Sequence, residues 1–419
     1  MNLYPKIFKA KTIGKIFFRY TGDVLPEIKV QPMEKYLIPH DKMRIDEEDR
    51  YPYYIMTKEN DGLFSYCYEF LHEQKYSVII RINGETVLSS HVYALENDLY
   101  SLRFFKGDTH IHTTRSDGLK SPLETACAYR AAGYDFIAVT DHHQFDPSIE
   151  TINEISSHTN LFTAFRGEEV HNGSMGYIHI VSFNGQSSVS KIIDNDQEYV
   201  KARINTILAE NNFEGLSHPY TAAYRIFVAD EIRKAGGIPI LTHPLWDAYG
   251  EYNMDMDELA YHLKNNTFDA FELLADDDRF GNGDNLQTAL YYELASKGVK
   301  TSLLGASDCH DTDGELSYFN RHFSLVFAPD AKEIPNSVKN GMCVAVNRRS
   351  DDDFFVFGDF RLVKYARFVL NSFYPEYAAL TSEHAKALAE SDGTRTEKII
   401  QTESFIFNLV FTTEWHLKI

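Results

Sequence analysis

The segment that decides the fold is Phe136-Ile137-Ala138-Val139-Thr140-Asp141-His142-His143. Four apolar residues lead directly into polar side chains that can bind a metal, and a helical segment precedes them. That segment opens with Ser121-Pro122-Leu123-Glu124, a capping box with proline at the first helical position, and it ends near Gly133. The stretch therefore predicts a helix, a buried strand and then a loop that carries chemistry.

The same unit recurs three times further along the chain. Residues 230–241, 257–274 and 285–304 each combine a helical segment with a short apolar strand, and polar residues follow each strand. Such alternation implies right-handed crossovers and a parallel sheet. In a closed barrel of these units, the loops after the strands gather at one end and form the active site.

The regions before and after these repeated units have different sequence patterns. Residues 77–88 read as two strands joined by Asn83-Gly84, a pair that suits a tight hairpin turn, so the first 105 residues are predicted to form a β-sandwich or β-sheet module. Past residue 330 we expect helices over 335–340 and 361–373 and a strand over 404–413. The predicted domains are therefore 1–105, 106–330 and a mixed α/β extension over 331–419.

Composition limits the function. The 419 residues include 41 Lys+Arg and 61 Asp+Glu, a net charge of −20, which disfavours binding to extended nucleic acid or to anionic lipid. Lysines at 6, 9, 11 and 15 interrupt any signal-peptide core, and no apolar run reaches the ~20 residues of a membrane span, so a cytoplasmic location is expected. The four cysteines form no C-x-x-C pair, which indicates neither a disulfide framework nor a thiolate zinc site.

Candidate metal ligands follow the predicted strands. In an extended segment residues i and i+2 point the same way, so His110 and His112 can hold one ion, and Asp308 and His310 repeat the spacing. Imidazole and carboxylate are ligands that Zn²⁺, Mn²⁺ and Fe share. Their position past strand ends predicts a metal centre. The other candidates are Asp117, Asp141-His142, Glu168-Glu169, His179 and His243.

At this point the sequence resembles the polymerase and histidinol phosphatase (PHP) family of metal-dependent phosphoesterases. The resemblance covers about 200 residues, roughly half of the chain, and the motifs stand in the family's order. They are residues 108–118, Thr140-Asp141-His142, Gly167-Glu168-Glu169, His179-Ile180, Thr242-His243-Pro244 and Ser307-Asp308-Cys309-His310.

The resemblance implies a distorted seven-stranded β/α barrel, similar to a TIM barrel, with three divalent metals (Zn, Mn or Fe) at the C-terminal face of its strands. By position, one metal would be held by His110, His112, Glu169 and Asp308. Glu169 would bridge to a second metal held by His179 and His243, and a third would be held by Asp117, His142 and His310.

Some assignments leave an alternative. Glu169 is preferred over Glu168 as the bridging ligand because the family spacing is Gly-x-Glu. His218-Pro219 competes with His243-Pro244; the preceding Gly-Gly and strand favour His243, and His218 would then line the substrate pocket or be a buried structural histidine. His143 is expected to face solvent.

Carboxylates beside the ligands are predicted to support them. Asp108 and Asp141 each stand next to a metal-binding histidine, where they could accept the second ring N–H, and we assign them to the catalytic machinery on that basis. The run of aspartates at 276–278 could also reach the pocket. Arginines at 115, 203, 225, 279 and 321 fall in or near segments that could border it, although each is more simply read as a surface residue.

The predicted activity is hydrolysis of a small phosphate ester by a metal-bound hydroxide at a trinuclear site, without a protein nucleophile. A small phosphorylated substrate is expected, and neither extended nucleic acid nor a membrane; the sequence does not specify the oligomeric state. Two rivals are an amidohydrolase-type C–N hydrolase, which also opens with His-x-His, and a non-catalytic metal-containing binding protein. The first would not explain Gly-x-Glu or the closing Asp-x-His.

Overall fold

The computed structural model describes residues 3–36, 51–60, 62–156, 161–171, 178–248, 250–275, 282–313 and 318–411. The chain forms two compact units. The first comprises Met1–Arg103, Phe368–Glu376 and Lys398–Ile419, and the second comprises Phe104–Arg367 and Tyr377–Glu397. The predicted division into three domains stays a prediction.

The first unit contains two β-sheets that share one apolar core. Their strand orders are β1-β3-β7-β6 and β2-β9-β8-β4-β5. Phe18 and Phe64 from one sheet pack with Val78 and Val92 from the other, so the module is a β-sandwich. The strands are β1 Leu3–Tyr4, β2 Ile7–Lys9, β3 Thr12–Arg19, β4 Glu27–Pro32, β5 Tyr54–Ile55, β6 Thr57–Asn60, β7 Leu63–Phe70, β8 Gln74–Ile82 and β9 Glu85–Leu95.

The predicted hairpin is present in this unit. β8 pairs with β9 in antiparallel register, and the turn residues Asn83 and Gly84 have φ angles of 53° and 79°. Both values lie in the left-handed region that a two-residue turn of this type requires.

The second unit contains two larger sheets. Their strand orders are β12-β11-β10-β20-β21-β22 and β13-β14-β15-β18-β19. The strands are β10 Arg103–Asp108, β11 Phe136–Ala138, β12 Thr163–Phe165, β13 Gly167–His171, β14 His179–Phe183, β15 Ile238–Leu241, β16 Asp247–Ala248, β17 Glu251–Tyr252, β18 Ala270–Leu274, β19 Ser302–Gly305, β20 His322–Ala328, β21 Cys343–Arg348 and β22 Phe354–Phe357.

The expectation of a parallel sheet holds in part. β10, β11 and β12 are parallel, as are β15, β18 and β19, but β14 runs antiparallel to both β13 and β15. The connection from β13 to β14 is too short for a crossover helix, which is why these strands cannot be parallel. Two isolated bridges, Ile111 with Cys309 and His142 with Glu169, link the two sheets.

The predicted helices are present, and one segment that was predicted to be a strand is also helical. The capping box is formed, since Ser121 accepts from the backbone N–H of Glu124 and Glu124 accepts from that of Ser121. The strand predicted over 404–413 is wrong, because its described part is helical; a short apolar run does not by itself distinguish a strand from a buried helix. The helices are α1 Asn97–Tyr100, α2 Pro122–Ala131, α3 Asp146–Ser156, α4 Val189–Asn195, α5 Gln197–Glu210, α6 Pro219–Lys234, α7 Met256–Lys264, α8 Asn282–Ala295, α9 Ile334–Lys339, α10 Phe360–Ser372, α11 Tyr374–Ala389 and α12 Gly393–Phe411.

Among the described residues, none of the helices is both long enough and apolar enough to cross a membrane.

Candidate metal centre

The structure brings the nine predicted metal ligands together in the second unit. Most of them lie just past the end of a strand, as the barrel argument requires, while Glu169 lies within β13 and His179 opens β14. Ligand atoms from these residues form four overlapping groups whose members lie within 4.8 Å of one another. The groups are His112, Asp117, His142 and His310; His110, His243 and Asp308; His110, His112 and Glu169; and His142, Glu169 and His179.

Glu169 is the centre of this cluster. Its carboxylate lies 2.6 Å from His142 Nδ1, 2.8 Å from His179 Nδ1 and 3.3 Å from His243 Nε2. Glu168 points elsewhere and accepts hydrogen bonds from the Ser188 hydroxyl, at 2.7 Å, and from the backbone N–H of Val189. The geometry therefore favours Glu169 as the bridging residue, as the Gly-x-Glu spacing predicts.

Asp308 holds the other side of the cluster. One of its oxygens lies 2.9 Å from His112 Nε2 and 3.2 Å from His110 Nε2. Asp308 has a φ of 49°, in the left-handed region that non-glycine residues rarely occupy. A backbone held in this conformation is typical of positions where a side chain is aimed at a functional site.

The cluster opens to solvent on one side. The side chains of Asp117, His310 and His142 are 56%, 37% and 23% exposed, whereas those of His110 and His112 are fully buried. Asp117 lies 3.4 Å from His310 Nε2 and 3.5 Å from His142 Nε2. The set implied for a third metal therefore forms the rim, and a substrate would reach the cluster from this side.

Sequence reasoning missed Glu272. This residue lies within β18, is fully buried, and places its carboxylate 3.1 Å from His110 Nδ1. A carboxylate in this position fixes the tautomer and orientation of a ligand histidine. The available signal was a single glutamate inside the apolar strand Phe271-Glu272-Leu273-Leu274, where an unpaired charge would be costly.

His171 was also missed. It ends β13 two residues after Glu169, and its ring centroid lies 4.8 Å from that of His179 and 5.2 Å from that of His142. Burial, together with the charges of His179 and His142, lowers the pKa of His171 to about 4. The signal was again an i, i+2 pair, Glu169 and His171.

Asp108 and Asp141 do not make the contacts expected of them. Asp108 accepts hydrogen bonds from the backbone N–H groups of His110 and Ser307 and from the Tyr129 hydroxyl, and burial raises its pKa to about 7 despite them. Asp141 accepts from the backbone and hydroxyl of both Thr113 and Ser116. These two aspartates hold the loops that carry the ligands. The expected contact with the second ring nitrogen of a ligand histidine is made by Glu272, at His110. A catalytic role for Asp108 or Asp141 stays a prediction.

The competing histidines lie outside the cluster. His218 is exposed at the N-terminus of α6, so the alternative of a buried structural histidine is wrong. His143 is part-exposed and places Nε2 2.9 Å from Asp194. The aspartates at 276–278 and Arg279 lie outside the described residues.

The electrostatics of the cluster call for added positive charge. Among the described residues, the ion-pair partners of Glu169, Glu272 and Asp308 are histidines and include no Lys or Arg. Burial opposes protonation of His110, but the charges of Asp308, Glu272 and Glu169 outweigh it and hold the pKa of His110 well above its usual value. Buried carboxylates in this number require cations nearby.

Unpaired ligand atoms indicate which cations fit. Seven buried atoms of the predicted ligands make no well-oriented hydrogen bond, although several lie within 2.6–3.2 Å of one another, and each is a type of atom that binds a divalent transition metal. Leaving so many buried polar atoms unpaired would be costly without a ligand. The donor set therefore fits metal ions. The atoms are Nε2 of His110, His112 and His179, Nδ1 of His142 and His243, Oε2 of Glu169 and Oδ1 of Asp308.

No family model matches the chain. A curated relative, the DNA polymerase/3'-5' exonuclease PolX of Bacillus subtilis, is 24% identical over 252 residues, which is 56% of this chain and 39% of the relative. The chain thus spans about two fifths of the length of the curated relative it matches.

Similar solved structures include two described as phosphoesterases. One is a two-domain protein from Bacteroides vulgatus containing a predicted PHP-like metal-dependent phosphoesterase, at 16% identity and a TM-score of 0.39, with 58% of this chain and 65% of that chain covered. Another, assigned as a metal-dependent phosphoesterase from Bifidobacterium adolescentis, has 16% identity and a TM-score of 0.38, with 56% and 96% covered.

An amidohydrolase from Chromobacterium violaceum, with bound sulfate and no metal, has 17% identity and a TM-score of 0.34, with 50% of this chain and 89% of that chain covered. The chain resembles PHP-like metal-dependent phosphoesterases. Since none of these three structures reaches a TM-score of 0.5, the chemistry of the site is what supports a function.

Proposed function

We propose that this chain is a metal-dependent phosphoesterase that hydrolyses a small phosphate ester at a centre of up to three divalent metals. The observation that carries the proposal is the convergence of nine histidine and carboxylate side chains with seven unpaired, buried ligand atoms. When bound, divalent metals at such a centre would lower the pKa of a water molecule and offset the charge of a phosphate.

The remaining side chains support attack by water rather than by a protein nucleophile. Cys309 lies between two predicted ligands, but its thiol is buried and donates to the backbone oxygen of Asp311. The Ser307 hydroxyl lies 2.8 Å from the Tyr129 hydroxyl, which in turn donates to Asp108. Glu272 orients His110, and the hydrogen bonds to Asp141 hold the loop after His112 in place.

Charges near the rim favour a compact substrate. Arg115 is engaged by Glu150 through two hydrogen bonds, of 2.6 and 2.9 Å, and Lys120 pairs with Asp313. Asp117 adds an exposed carboxylate beside them. A polymer would need a cationic track for its flanking phosphates, whereas a small ester needs positive charge only at the reacting phosphate.

We further propose that seven strands of the second unit form the barrel that the PHP resemblance implies: β10, β11, β13, β14, β15, β18 and β19. The bridges Ile111 with Cys309 and His142 with Glu169 support closure, because they join β10 to β19 and β11 to β13 just beyond the strand ends. Val181, Ile240 and Leu304 from one sheet and Phe136 from the other share one apolar cluster, as a filled barrel interior would.

The test is a hydrolysis screen on metal-reconstituted protein, with Asp308→Asn as the inactive control. The panel contains phosphomonoesters, a phosphodiester, oligonucleotides of several lengths and N-acyl substrates. We expect the highest kcat/KM on a phosphomonoester and no activity of the variant. Efficiency that rises with oligonucleotide length would favour a nuclease, and activity confined to the N-acyl substrates would favour the amidohydrolase alternative. Full metal occupancy without hydrolysis of any substrate would favour a binding protein.

A further inference from the structure

A second concave site lies in the second unit, between helix α8 and the β21–β22 hairpin. Its cavity volume is about 370 Å³, and its lining includes none of the predicted metal ligands. The helix contributes Asp284 and Tyr292, which lie two turns apart on one face of α8. The hairpin contributes Asn347, Phe355 and Phe357.

Strands β21 and β22 line the sheet side of this groove, and His322 of β20, which is not part of the lining, continues the same row of side chains. His322 of β20 is directly opposite Asn347 of β21, and Asn347 is directly opposite Phe355 of β22. Side chains of directly opposed residues lie on the same face of a sheet. Phe357 follows Phe355 by two residues and therefore shares that face.

Two members of this row carry buried polar atoms without partners. His322 is 1% exposed, and neither of its ring nitrogens has a hydrogen-bond partner. The side-chain oxygen of Asn347 is also buried without one. Asp284 approaches His322 Nε2 only to 3.5 Å, which is beyond a good hydrogen bond. Unpaired buried atoms are costly; of these, only the Asn347 oxygen belongs to the groove lining, so a ligand that donates a hydrogen bond to it would recover free energy.

The lining also defines the chemistry of that ligand. Burial, aided by Arg321, lowers the pKa of His322 to about 3, so the ring behind the lining is neutral and adds no positive charge to the groove. Asp284 already accepts from the backbone N–H of Ala275 and from Gln287 Nε2, so the acceptor that the groove offers a ligand is the Asn347 oxygen, while the Asp284 carboxylate disfavours a phosphate here. Aromatic rings stand on both sides, Tyr292 on the helix and Phe355 on the hairpin, and they suit a flat ring.

We propose that this groove binds an uncharged, amino-bearing heteroaromatic ring: a nucleobase, either free or within a nucleoside. Asparagine and carboxylate side chains recognise the amino groups of adenine and cytosine, and aromatic side chains stack on bases for roughly 1–3 kcal/mol each. A volume of about 370 Å³ is at the lower end of small-ligand pockets, which suits a compact ligand. The site is separate from the metal centre and does not depend on the proposed hydrolysis.

Calorimetric titration of the full chain tests the proposal, with chelator-treated and metal-loaded protein in parallel. Adenosine and cytidine are the probes, inosine and uridine replace the amino group by a carbonyl, adenine distinguishes free base from nucleoside, and ribose tests the sugar alone. We expect saturable binding of adenosine or cytidine in both protein samples, with a Kd about tenfold weaker for the carbonyl analogue.

Four variants complete the experiment. Asn347→Ala and Phe355→Ala should weaken binding at least tenfold, and Ala289→Trp, an exposed lining position, should block the groove. The matched control is Phe360→Ala, an equally drastic change at a phenylalanine that is 75% exposed and outside the groove. The proposal is overturned if no nucleoside or base binds, if ribose alone accounts for binding, if the carbonyl analogues bind equally well, or if all folded variants bind like wild type.

Discussion

Two buried groups of charged side chains in the second unit differ in how their charges are balanced. In one, Arg225 donates to Glu258 and to the backbone oxygen of Asn253, while His262 lies 3.4 Å from Glu258 and 3.0 Å from the Thr267 hydroxyl. In the metal centre, the ion-pair partners of Glu169, Glu272 and Asp308 are all histidines among the described residues, and seven buried ligand atoms make no well-oriented hydrogen bond.

The difference concerns what each group needs from outside the chain. A guanidinium beside a carboxylate supplies both charges and most of the hydrogen bonds, so the Arg225 group is complete as folded. The metal centre has carboxylates and nitrogen lone pairs but no Lys or Arg partner among the described residues, so it needs added positive charge, from metal ions or from protons on its histidines. Buried charge by itself therefore does not indicate a site; buried charge without its counter-charge does.

The largest expected effect comes from removing the central carboxylate. Glu169→Gln should lose about 10³-fold in kcat/KM on the best phosphomonoester and should lower the metal content measured by elemental analysis, because Glu169 contacts three of the ligand histidines. Glu168→Gln is the matched control and should keep its metal. Full activity of the Glu169 variant together with loss in the Glu168 variant would reverse the assignment.

The next effect is on stability alone. Arg225→Leu should lower the free energy of unfolding by about 3–5 kcal/mol, because it leaves the Glu258 carboxylate buried without its partner. The metal content of the folded variant should not change. Urea unfolding with and without chelator separates the two groups: chelation should destabilise wild type and variant by the same amount, and a destabilisation confined to one of them would show that the groups are coupled.

Glu272→Gln should have a smaller effect, because Glu272 acts through His110. We expect metal affinity to fall about 10–100-fold and activity to return when more metal is added. Competition with a metal-sensitive dye measures the affinity. Glu231→Gln is the matched control. Glu231 is a buried glutamate on α6 that accepts hydrogen bonds from Tyr199 and Lys234, and its replacement should not alter the metal affinity. A loss of activity that excess metal does not restore would argue against an orienting role.

The smallest effect concerns pH. Burial lowers the pKa of His262 below its usual value, although Glu258 opposes the shift. As the pH falls, the unfolded chain, with a histidine pKa near 6.5, therefore binds this proton before the folded chain does. The contribution of neutral His262 to the free energy of unfolding is complete above about pH 6.5 and decreases below it. His262→Gln should flatten this decline, by at most about 1.4 kcal/mol at pH 5.5, which is one unit below the pKa in the unfolded chain. Unfolding curves at pH 7.5 and 5.5 measure the difference; identical pH dependence in both proteins would exclude His262 as its source.

Sequence patterns predicted local features well. The capping box at Ser121, the Asn83-Gly84 turn and the helices near residues 335–340 and 361–373 all depend on neighbouring residues, and all are present. The predicted strand over 404–413 was wrong for a related reason: the apolar run suits either element, and its surroundings in the fold decide between them.

Candidate ligands were predicted from residue types that recur just past strand ends, the set of nine followed from the family resemblance, and the structure brings all nine together. One group, His110 with His112 and Glu169, agrees with the set that the resemblance implies for the first metal, and the other groups overlap it. His112 joins the rim set of Asp117, His142 and His310, and His243 groups with His110 and Asp308. Assignment of particular ligands to particular metals stays a prediction.

The sequence by itself determined which residues can bind metals and that most of them follow strands, because donor chemistry and strand periodicity are local properties. Only the tertiary structure decided which carboxylate orients which histidine. Glu272 and His110 are separated by 162 residues. In the sequence Glu272 is only one residue of an apolar strand, and in the folded chain β18 places it 3.1 Å from His110 Nδ1. Contacts between distant segments depend on strand order and register, and no spacing along the chain encodes them directly.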